Sequence, residues 1–267
     1  MAATWRKASA LFTIYFQEGL AYRASGIIWV MTDVTTAITM PLVWASANKG
    51  NEAISGFGTS DFVLYYLCML LIQCFVTSHV MWDIAMEIKE GQFATALLRP
   101  MDWYLATFVR NLAWRVFRPV LFLPFFVLFL FLYRGLLGDA HIVLSPAFFL
   151  SVILGHLVSF ALATAIAMVA LFTQEAMSIF ELYYLPLLLL SGNVFPIAVL
   201  PPWAQSLAHA LPFYATVGAP TEMLVGRTPA AAVPGVLAMQ LFWVVVSYAL
   251  YRVLWRKGLK VYAGVGM

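Results

Sequence analysis

The residues that could do chemistry in this sequence are the few charged and nucleophilic side chains that interrupt long apolar runs. Two carboxylates, Asp33 and Glu181, fall inside such runs. A charged group inside a membrane span is costly and is a functional candidate by default. Asp33 could bind a proton or a cation, or it could accept hydrogen bonds from a neighbouring helix or a water-filled vestibule. Glu181 lies close enough to the end of its run to be solvated, so Asp33 is the candidate intramembrane charge.

The motifs of common catalytic and nucleotide-binding sites do not occur in the sequence. A P-loop needs Gly-Lys followed by Ser or Thr, whereas the five lysines follow Arg, Asn, Ile, Arg and Leu. HExxH and CxxC are absent and the four histidines are scattered, so no metal site is expected. His156 and Ser159 stand at i and i+3 of one apolar run, which is more typical of a packing pair than of a protease dyad. We therefore expect no catalytic residue and no cofactor in this chain.

The composition indicates which class of protein carries so few charges. Of the 267 residues, 63% are hydrophobic and only 10% are charged, against about 25% charged residues in a soluble domain. A core of this length cannot bury so much apolar surface, so we expect a polytopic membrane protein. The net charge of +3 is too small to suggest nucleic-acid binding. No repeat divides the sequence, and residues 1–267 are therefore taken as one membrane domain.

Six apolar stretches approach the length of about 20 residues that a helix needs to cross the hydrocarbon core. The third should begin near Asn111 and be kinked by Pro119 and Pro124. The fourth opens on Ser145 and Pro146, an N-cap residue followed by proline at the first helical position. The fold class is therefore all-α with six transmembrane helices. The stretches are residues 26–44, 62–81, 111–134, 145–173, 175–190 and 233–251.

The lysine and arginine residues predict the orientation of these spans. Twelve of the 15 precede the first span, lie between the second span and Arg118 at the start of the third, or follow the sixth, and the other three are Lys49, Arg134 and Arg227. Since the basic side normally faces the cytoplasm, both termini should be cytoplasmic. An even number of spans agrees with that arrangement.

Two segments do not fit a plain six-helix count. Residues 4–23 alternate aromatic and charged side chains and are too polar to span, so we expect a helix at the cytoplasmic interface; an ordinary cytosolic helix is the alternative. Residues 182–221 carry no Asp, Glu, Lys or Arg and are too long for one span. Because they are broken by several prolines, we expect a span followed by a short re-entrant hairpin, residues 191–224, shielded by protein. We call residues 191–224 the gate segment.

The cytoplasmic segment between the second and third spans, residues 83–102, carries the most specific pattern. A charged turn at residues 87–90 precedes Gly91, which can end a helix. Residues 93–98 then form a short helix with an apolar side, and Pro100 stops it.

This short helix should expose apolar side chains toward the cytoplasm. Exposed apolar groups of this kind need a cover, and a partner protein would supply it. The alternative is that they rest on the membrane surface. The three side chains are Phe93, Leu97 and Leu98.

Four motifs follow one another along this pattern of spans. Residues 87–100 read Glu-Ile-x-x-Gly-x-Phe-x-x-x-Leu-Leu-Arg-Pro, and residues 190–196 read Leu-Ser-Gly-Asn-Val-Phe-Pro. Residues 211–214 read Leu-Pro-Phe-Tyr, and residues 258–262 read Gly-Leu-Lys-Val-Tyr. In this order and topology they resemble the small permease subunits of type-2 ABC exporters over nearly the whole chain. The large extracellular domain of some relatives is absent, since residues 45–60 are too short to fold alone.

The resemblance implies roles for the motif residues. Residues 83–102, which we call the coupling segment, would dock in a groove of a separate ATPase, and residues 4–23 would be the connecting helix. The implied coupling residues are Glu87, Ile88, Gly91, Phe93, Leu97, Leu98, Arg99 and Pro100. The residues implied to shape the extracellular gate are Gly192, Pro196, Pro201, Pro202 and Pro212.

The resemblance also implies partners and a function. Two ABC ATPase subunits would hold Mg-ATP, and a second permease, identical or homologous, would complete the substrate pathway in a prokaryotic inner membrane among its lipids. The chain would then be a transport subunit and not itself an enzyme. An ion- or proton-coupled secondary carrier using Asp33 is the alternative. A polytopic lipid-modifying enzyme is a further rival, but the missing catalytic residues argue against it.

Overall fold

The computed structural model describes residues 2–21, 23–47, 53–138, 141–173 and 176–263. Most of these residues are helical, with one isolated bridge between Ile54 and Phe57 and no strand among the described residues. The helices are α1 (Ala2–Ala21), α2 (Arg23–Ala47), α3 (Thr59–Val76), α4 (Val80–Lys89), α5 (Gln92–Leu97), α6 (Trp103–Tyr133), α7 (Pro146–Ala167), α8 (Ala176–Leu190), α9 (Pro202–Ala210), α10 (Pro212–Thr216), α11 (Gly218–Leu224) and α12 (Val233–Val261).

Four helical stretches in the described part of the chain are long and apolar enough to cross a membrane. Helix α8 is also apolar but has only 15 residues, about 22 Å of rise, and α2 has 25 residues. The prediction of an all-α membrane protein is confirmed. The four stretches are Thr59–Lys89, Trp103–Tyr133, Pro146–Leu171 and Ala230–Val261.

Helix α6 begins earlier than predicted. It starts at Trp103, so the predicted start near Asn111 is wrong. The physical reason is a cap, because the Asp102 carboxylate accepts a hydrogen bond of 2.9 Å from the Leu105 amide. The 31-residue helix is about 46 Å long and therefore exceeds a hydrocarbon core of about 30 Å.

The predicted N-terminus of the fourth span is confirmed. Helix α7 begins at Pro146, and the Ser145 hydroxyl accepts a hydrogen bond of 3.2 Å from the Phe148 amide. Helix α7 is also the central helix, which packs against α3, α4, α10, α11 and α12. Gly155 permits this packing, because a Cβ atom there would lie 2.5 Å from the Thr216 carbonyl oxygen.

The second predicted span consists of two helices, with a break after Val76 between α3 and α4. The Ser78 amide donates to the Ser159 hydroxyl at 2.8 Å, and the Asn111 amide group donates to the Ser78 hydroxyl at 3.0 Å. The Nδ1 atom of His156 lies 3.2 Å from the Val76 carbonyl oxygen. The two α7 side chains thus contact backbone groups that the break frees, and Asn111 of α6 bonds to the Ser78 side chain. His156 and Ser159 are packing residues, as their spacing predicted.

Different segments of the chain meet at the two ends of the helix bundle. At one end, which we call the coupling end, α1 and the C-terminal end of α12 meet the coupling segment: Lys7 donates to the Pro100 carbonyl at 2.8 Å, and the Tyr262 ring contacts Phe93. At the other, which we call the gate end, the Val143 amide donates to the Leu224 carbonyl at 2.7 Å. The coupling and gate segments therefore lie at opposite ends of the bundle.

Candidate functional site

The coupling segment is a tight helix–turn–helix made of the end of α4 and of α5. Gly91 lies between them with φ of +78°, a left-handed conformation that glycine adopts without a steric penalty. The Gly91 amide donates to the Ile88 carbonyl at 3.3 Å, and Ile88 is buried. Helix α5 ends at Leu97, before Pro100. The short helix is confirmed, with each limit one residue earlier than the predicted 93–98.

Phe93 does not face the cytoplasm, because it is 0% exposed. Its ring contacts Trp103 of α6 at a centroid distance of 5.6 Å, Trp255 of α12 at 5.9 Å and Tyr262 at 5.3 Å, in each case edge to face. Such aromatic pairs add about 0.5–1.5 kcal/mol each beyond the burial of area. The predicted exposure of Phe93 is wrong, since aromatic residues remote in sequence cover that side of α5.

The C-terminal end of α5 and the residues after it stay open. Leu97 is 36% exposed and Leu98 is 86% exposed, and Arg99 and Pro100 are exposed beside them. The Arg99 guanidinium donates to the Tyr15 hydroxyl of α1 at 3.3 Å. The coupling segment therefore presents two leucines and a cation on a surface that no described part of the chain covers.

The Glu87 side chain is largely buried and lies against α6. It forms an ion pair with Arg110, and the two side chains are only 21% and 14% exposed. A largely buried charge pair is costly to break, because removing one partner leaves the other charge uncompensated. The pair thus fixes α4 against α6, and Arg110 is a functional candidate that the sequence did not single out.

The gate segment is a series of short helices whose starts are set by proline. After a 3-10 turn at Ile197–Val199, α9 begins at Pro202 and α10 begins at Pro212. Proline suits a first helical position because its missing amide would be unpaired there in any case. Pro201 stands before α9 as its N-cap residue, and Pro196 precedes the 3-10 turn.

The turn at Gly192 is fastened to α3. Gly192 has φ of +90°, and a Cβ atom there would lie 2.4 Å from the Tyr65 hydroxyl oxygen. The Tyr65 hydroxyl donates to the Gly192 carbonyl at 3.0 Å, and the Tyr66 hydroxyl donates to the Val194 carbonyl at 2.6 Å. These two bonds satisfy carbonyl groups of broken backbone, which would otherwise be unpaired in an apolar setting.

Two side-chain contacts extend this attachment. Gln73 donates to the Asn193 side-chain oxygen at 2.7 Å, and the Trp44 indole donates to the Tyr66 hydroxyl at 2.9 Å. Sequence analysis missed Tyr65, Tyr66 and Gln73. The signal available in the sequence was spacing: Tyr66 and Gln73 are seven residues apart, so these two polar side chains lie on the same side of a helix.

A buried acid follows the charge-free run. Glu222 of α11 accepts a hydrogen bond of 2.7 Å from the Tyr214 hydroxyl. Burial raises the pKa of the Glu222 carboxyl, while the Tyr214 hydrogen bond and the charge of Arg227 lower it, and burial is the larger effect. Arg227 forms an ion pair with Asp61 of α3 at 3.0 Å. Sequence analysis missed Glu222 because it stands one residue beyond the run.

Asp33 lies in the middle of α2, but its side chain is outside the described residues. The structure therefore adds no contact for this candidate. Among the described residues, no three His, Cys, Asp or Glu side chains come together as metal ligands.

Comparison with known proteins identifies the family. A family model described as ABC-2 family transporter protein matches residues 33–266, which include the coupling segment and the gate segment. No curated protein matches the chain. Because the family match covers most of the sequence, the chain belongs to the ABC-2 transporter family and is a permease subunit of a type-2 ABC transporter.

Proposed function

We propose that this permease belongs to an ATP-driven exporter, forms the substrate pathway with a second permease, and is moved by two separate ATPase subunits that hold Mg-ATP. The observation that carries the proposal is the coupling segment. Phe93 of α5 is buried against α6 and α12, and the C-terminal end of the helix exposes Leu97 and the following Leu98. A surface of this kind suits a docking partner.

The proposed topology has six spans, formed by α2, by α3 with α4, and by α6, α7, α8 and α12. Helix α8 is shorter than the hydrocarbon core is thick, and the gate segment returns into the membrane from the outside. Both termini are cytoplasmic. The gathering of α1, the coupling segment and the end of α12 at one end supports this orientation, because these parts carry most of the basic residues.

The proposed mechanism transmits motion through the two sides of the coupling segment. ATP binding closes the ATPases, which displace Leu97 and Leu98. The Glu87–Arg110 ion pair ties α4 to α6, and the Phe93 cluster ties α5 to α6 and α12. The spans therefore shift as packed bodies, and the interface between the two permeases alternates between packed and parted states. The gate segment, with Gly192 and its prolines, closes the outer end.

The test is docking of the ATPase. The complex is purified from membranes through a tag on the permease, and the ATPase that co-purifies and its transport-coupled hydrolysis are measured. Leu98→Asp places a charge in the docking surface, so we expect on the order of a tenfold or greater loss of association. Leu136→Asp introduces the same charge at an exposed leucine of the gate end and should leave association unchanged. Full association of Leu98→Asp would refute docking through this surface.

A further inference from the structure

An apolar cavity of about 720 Å³ lies between α3, α6 and α7 in the half of the bundle nearest the gate end. Leucine, isoleucine, valine and phenylalanine side chains form its wall, together with Cys68 and Gly138. None of the described residues that line it is charged or carries a hydroxyl group. Its volume falls within the range of roughly 300–1,000 Å³ that is usual for sites that bind small molecules.

The cavity opens sideways, toward the membrane. Helix α3 packs against both α6 and α7, whereas α6 and α7 contact each other through aromatic rings nearer the coupling end, where the Phe108 and Phe160 centroids are 5.0 Å apart. Large apolar side chains of the lining are exposed at the opening: Phe75 is 41% exposed, Leu130 is 40% exposed and Phe149 is 54% exposed. Water gains no hydrogen bonds from such a wall, so the cavity favours an apolar occupant.

A cation, Arg134, lies at the gate end of α6, one turn beyond the last α6 residue that lines the cavity. Phe126 and Leu130 of α6 line the cavity, and Arg134 follows at the same four-residue interval, so it lies on the same face of the helix one turn closer to the gate end. Arg134 has helical backbone angles, is exposed and lies over the Phe131 ring, with its guanidinium carbon 4.8 Å from the ring centroid. An apolar slot below an exposed arginine matches an amphiphile with a negative headgroup.

We propose that this cavity binds an acyl chain of an anionic glycerophospholipid from the leaflet at the gate end, with the headgroup phosphate against Arg134. The acyl chain fills the gap between α6 and α7 that side chains leave open. The guanidinium recognises the phosphate through charge-assisted hydrogen bonds. The site lies within one subunit and does not depend on the identity of the exported substrate.

The experiment uses the full chain in lipid nanodiscs that contain a phosphatidylglycerol with a photoactivatable diazirine in one acyl chain. Labelled peptides are identified by mass spectrometry, and a matched phosphatidylcholine probe reports the effect of headgroup charge. We expect labelling concentrated on the cavity residues of α3, α6 and α7, with stronger labelling by the anionic probe. Even labelling over all lipid-facing helices would overturn the proposal.

Two variants reduce the space inside the cavity. Leu71→Trp on α3 and Val152→Phe on α7 both add bulk to lining positions, and each should lower labelling of the cavity on the order of tenfold because the acyl chain no longer fits. Leu128→Trp is the matched control, since Leu128 is 48% exposed on α6 and does not line the cavity. Unchanged labelling in both filled variants, with unfolding temperatures equal to the parent, would refute acyl-chain binding.

A third variant tests the headgroup contact. Arg134→Gln should retain labelling of the cavity but abolish the preference for phosphatidylglycerol over phosphatidylcholine. A preference that survives in Arg134→Gln would overturn the role of Arg134. Absence of cavity labelling by both lipid probes in the parent protein would overturn the lipid assignment itself.

Discussion

The coupling segment and the gate segment are both short helical interruptions of the bundle, yet different forces hold them. Phe93 fastens the coupling segment through contacts with three aromatic rings. Hydrogen bonds from Tyr65 and Tyr66 to main-chain carbonyls fasten the gate segment. Ring packing orders a helix whose own backbone is already paired. Hydrogen bonds are needed where the backbone is broken in an apolar setting.

This difference has a functional meaning. The aromatic contacts of α5 reach two long helices at once, so movement of the coupling segment moves α6 and α12 with it. The hydrogen bonds of the gate segment reach α3, and they depend on the geometry of one turn at Gly192. In the mechanism we propose, the coupling segment transmits a displacement, whereas the gate segment keeps its shape.

The largest expected effect is that of Phe93→Ala. Removing a fully buried aromatic side chain leaves a cavity among three rings, which should cost about 3–5 kcal/mol of unfolding free energy. Thermal unfolding of the purified subunit in detergent measures the loss. Leu98→Ala is the control, because its side chain is 86% exposed, and it should weaken ATPase association without lowering the unfolding temperature. Equal stability of the two variants would contradict the buried role of Phe93.

A smaller loss of unfolding free energy is expected for Gly192→Ala. The added methyl group would meet the Tyr65 hydroxyl and the backbone would be strained at φ of +90°, so the cost should be about 1–3 kcal/mol. Gly235→Ala is the matched control, since no atom lies within 4 Å of a Cβ atom there and alanine favours the helix. The unfolding temperature should fall for the first variant alone. A tolerated Gly192→Ala would show that the turn is not rigid.

The smallest effect should be a pH dependence at Glu222. Because burial raises the pKa of this carboxyl in the folded protein, its protonated form is favoured by folding. Stability from this group is present at low pH and is lost as pH rises through the folded pKa. Glu222→Gln should therefore gain stability relative to the parent as pH rises from acid to neutral, measured as unfolding temperature against pH.

The control for this profile is Glu90→Gln, at an exposed carboxylate of the coupling segment. It should follow the pH profile of the parent. A Glu222→Gln profile parallel to the parent would mean that the buried acid does not couple protonation to the fold of the gate segment.

Local signals in the sequence predicted local structure. Ser145 capped α7 as expected, and Gly91 separated α4 from α5. The prolines of the gate segment stand at helix starts, as broken helices require. Even the early start of α6 had a signal, because Asp102 is a favourable N-cap residue directly before Trp103.

Contacts between distant residues could not be predicted in this way. The burial of Phe93 depends on Trp255 and Tyr262 of the C-terminal helix region, and no local pattern reveals which rings will cover it. The bond from Tyr65 to Gly192 joins residues 127 positions apart. The sequence therefore predicted the short helices of both segments from local signals, while the burial of Phe93 could be assigned only from the packed structure.

The break between α3 and α4 has a mechanical consequence. If α3 and α4 were one continuous helix, a rotation of the coupling segment would be transmitted directly to the turn at Gly192. The interruption after Val76 divides this path into two helices. Ser159 and His156 of α7 contact the backbone at the break, so the break is held against the central helix. In the mechanism we propose, α4 can thus move with α6, to which the Glu87–Arg110 ion pair joins it, without twisting α3, which holds the turn at Gly192.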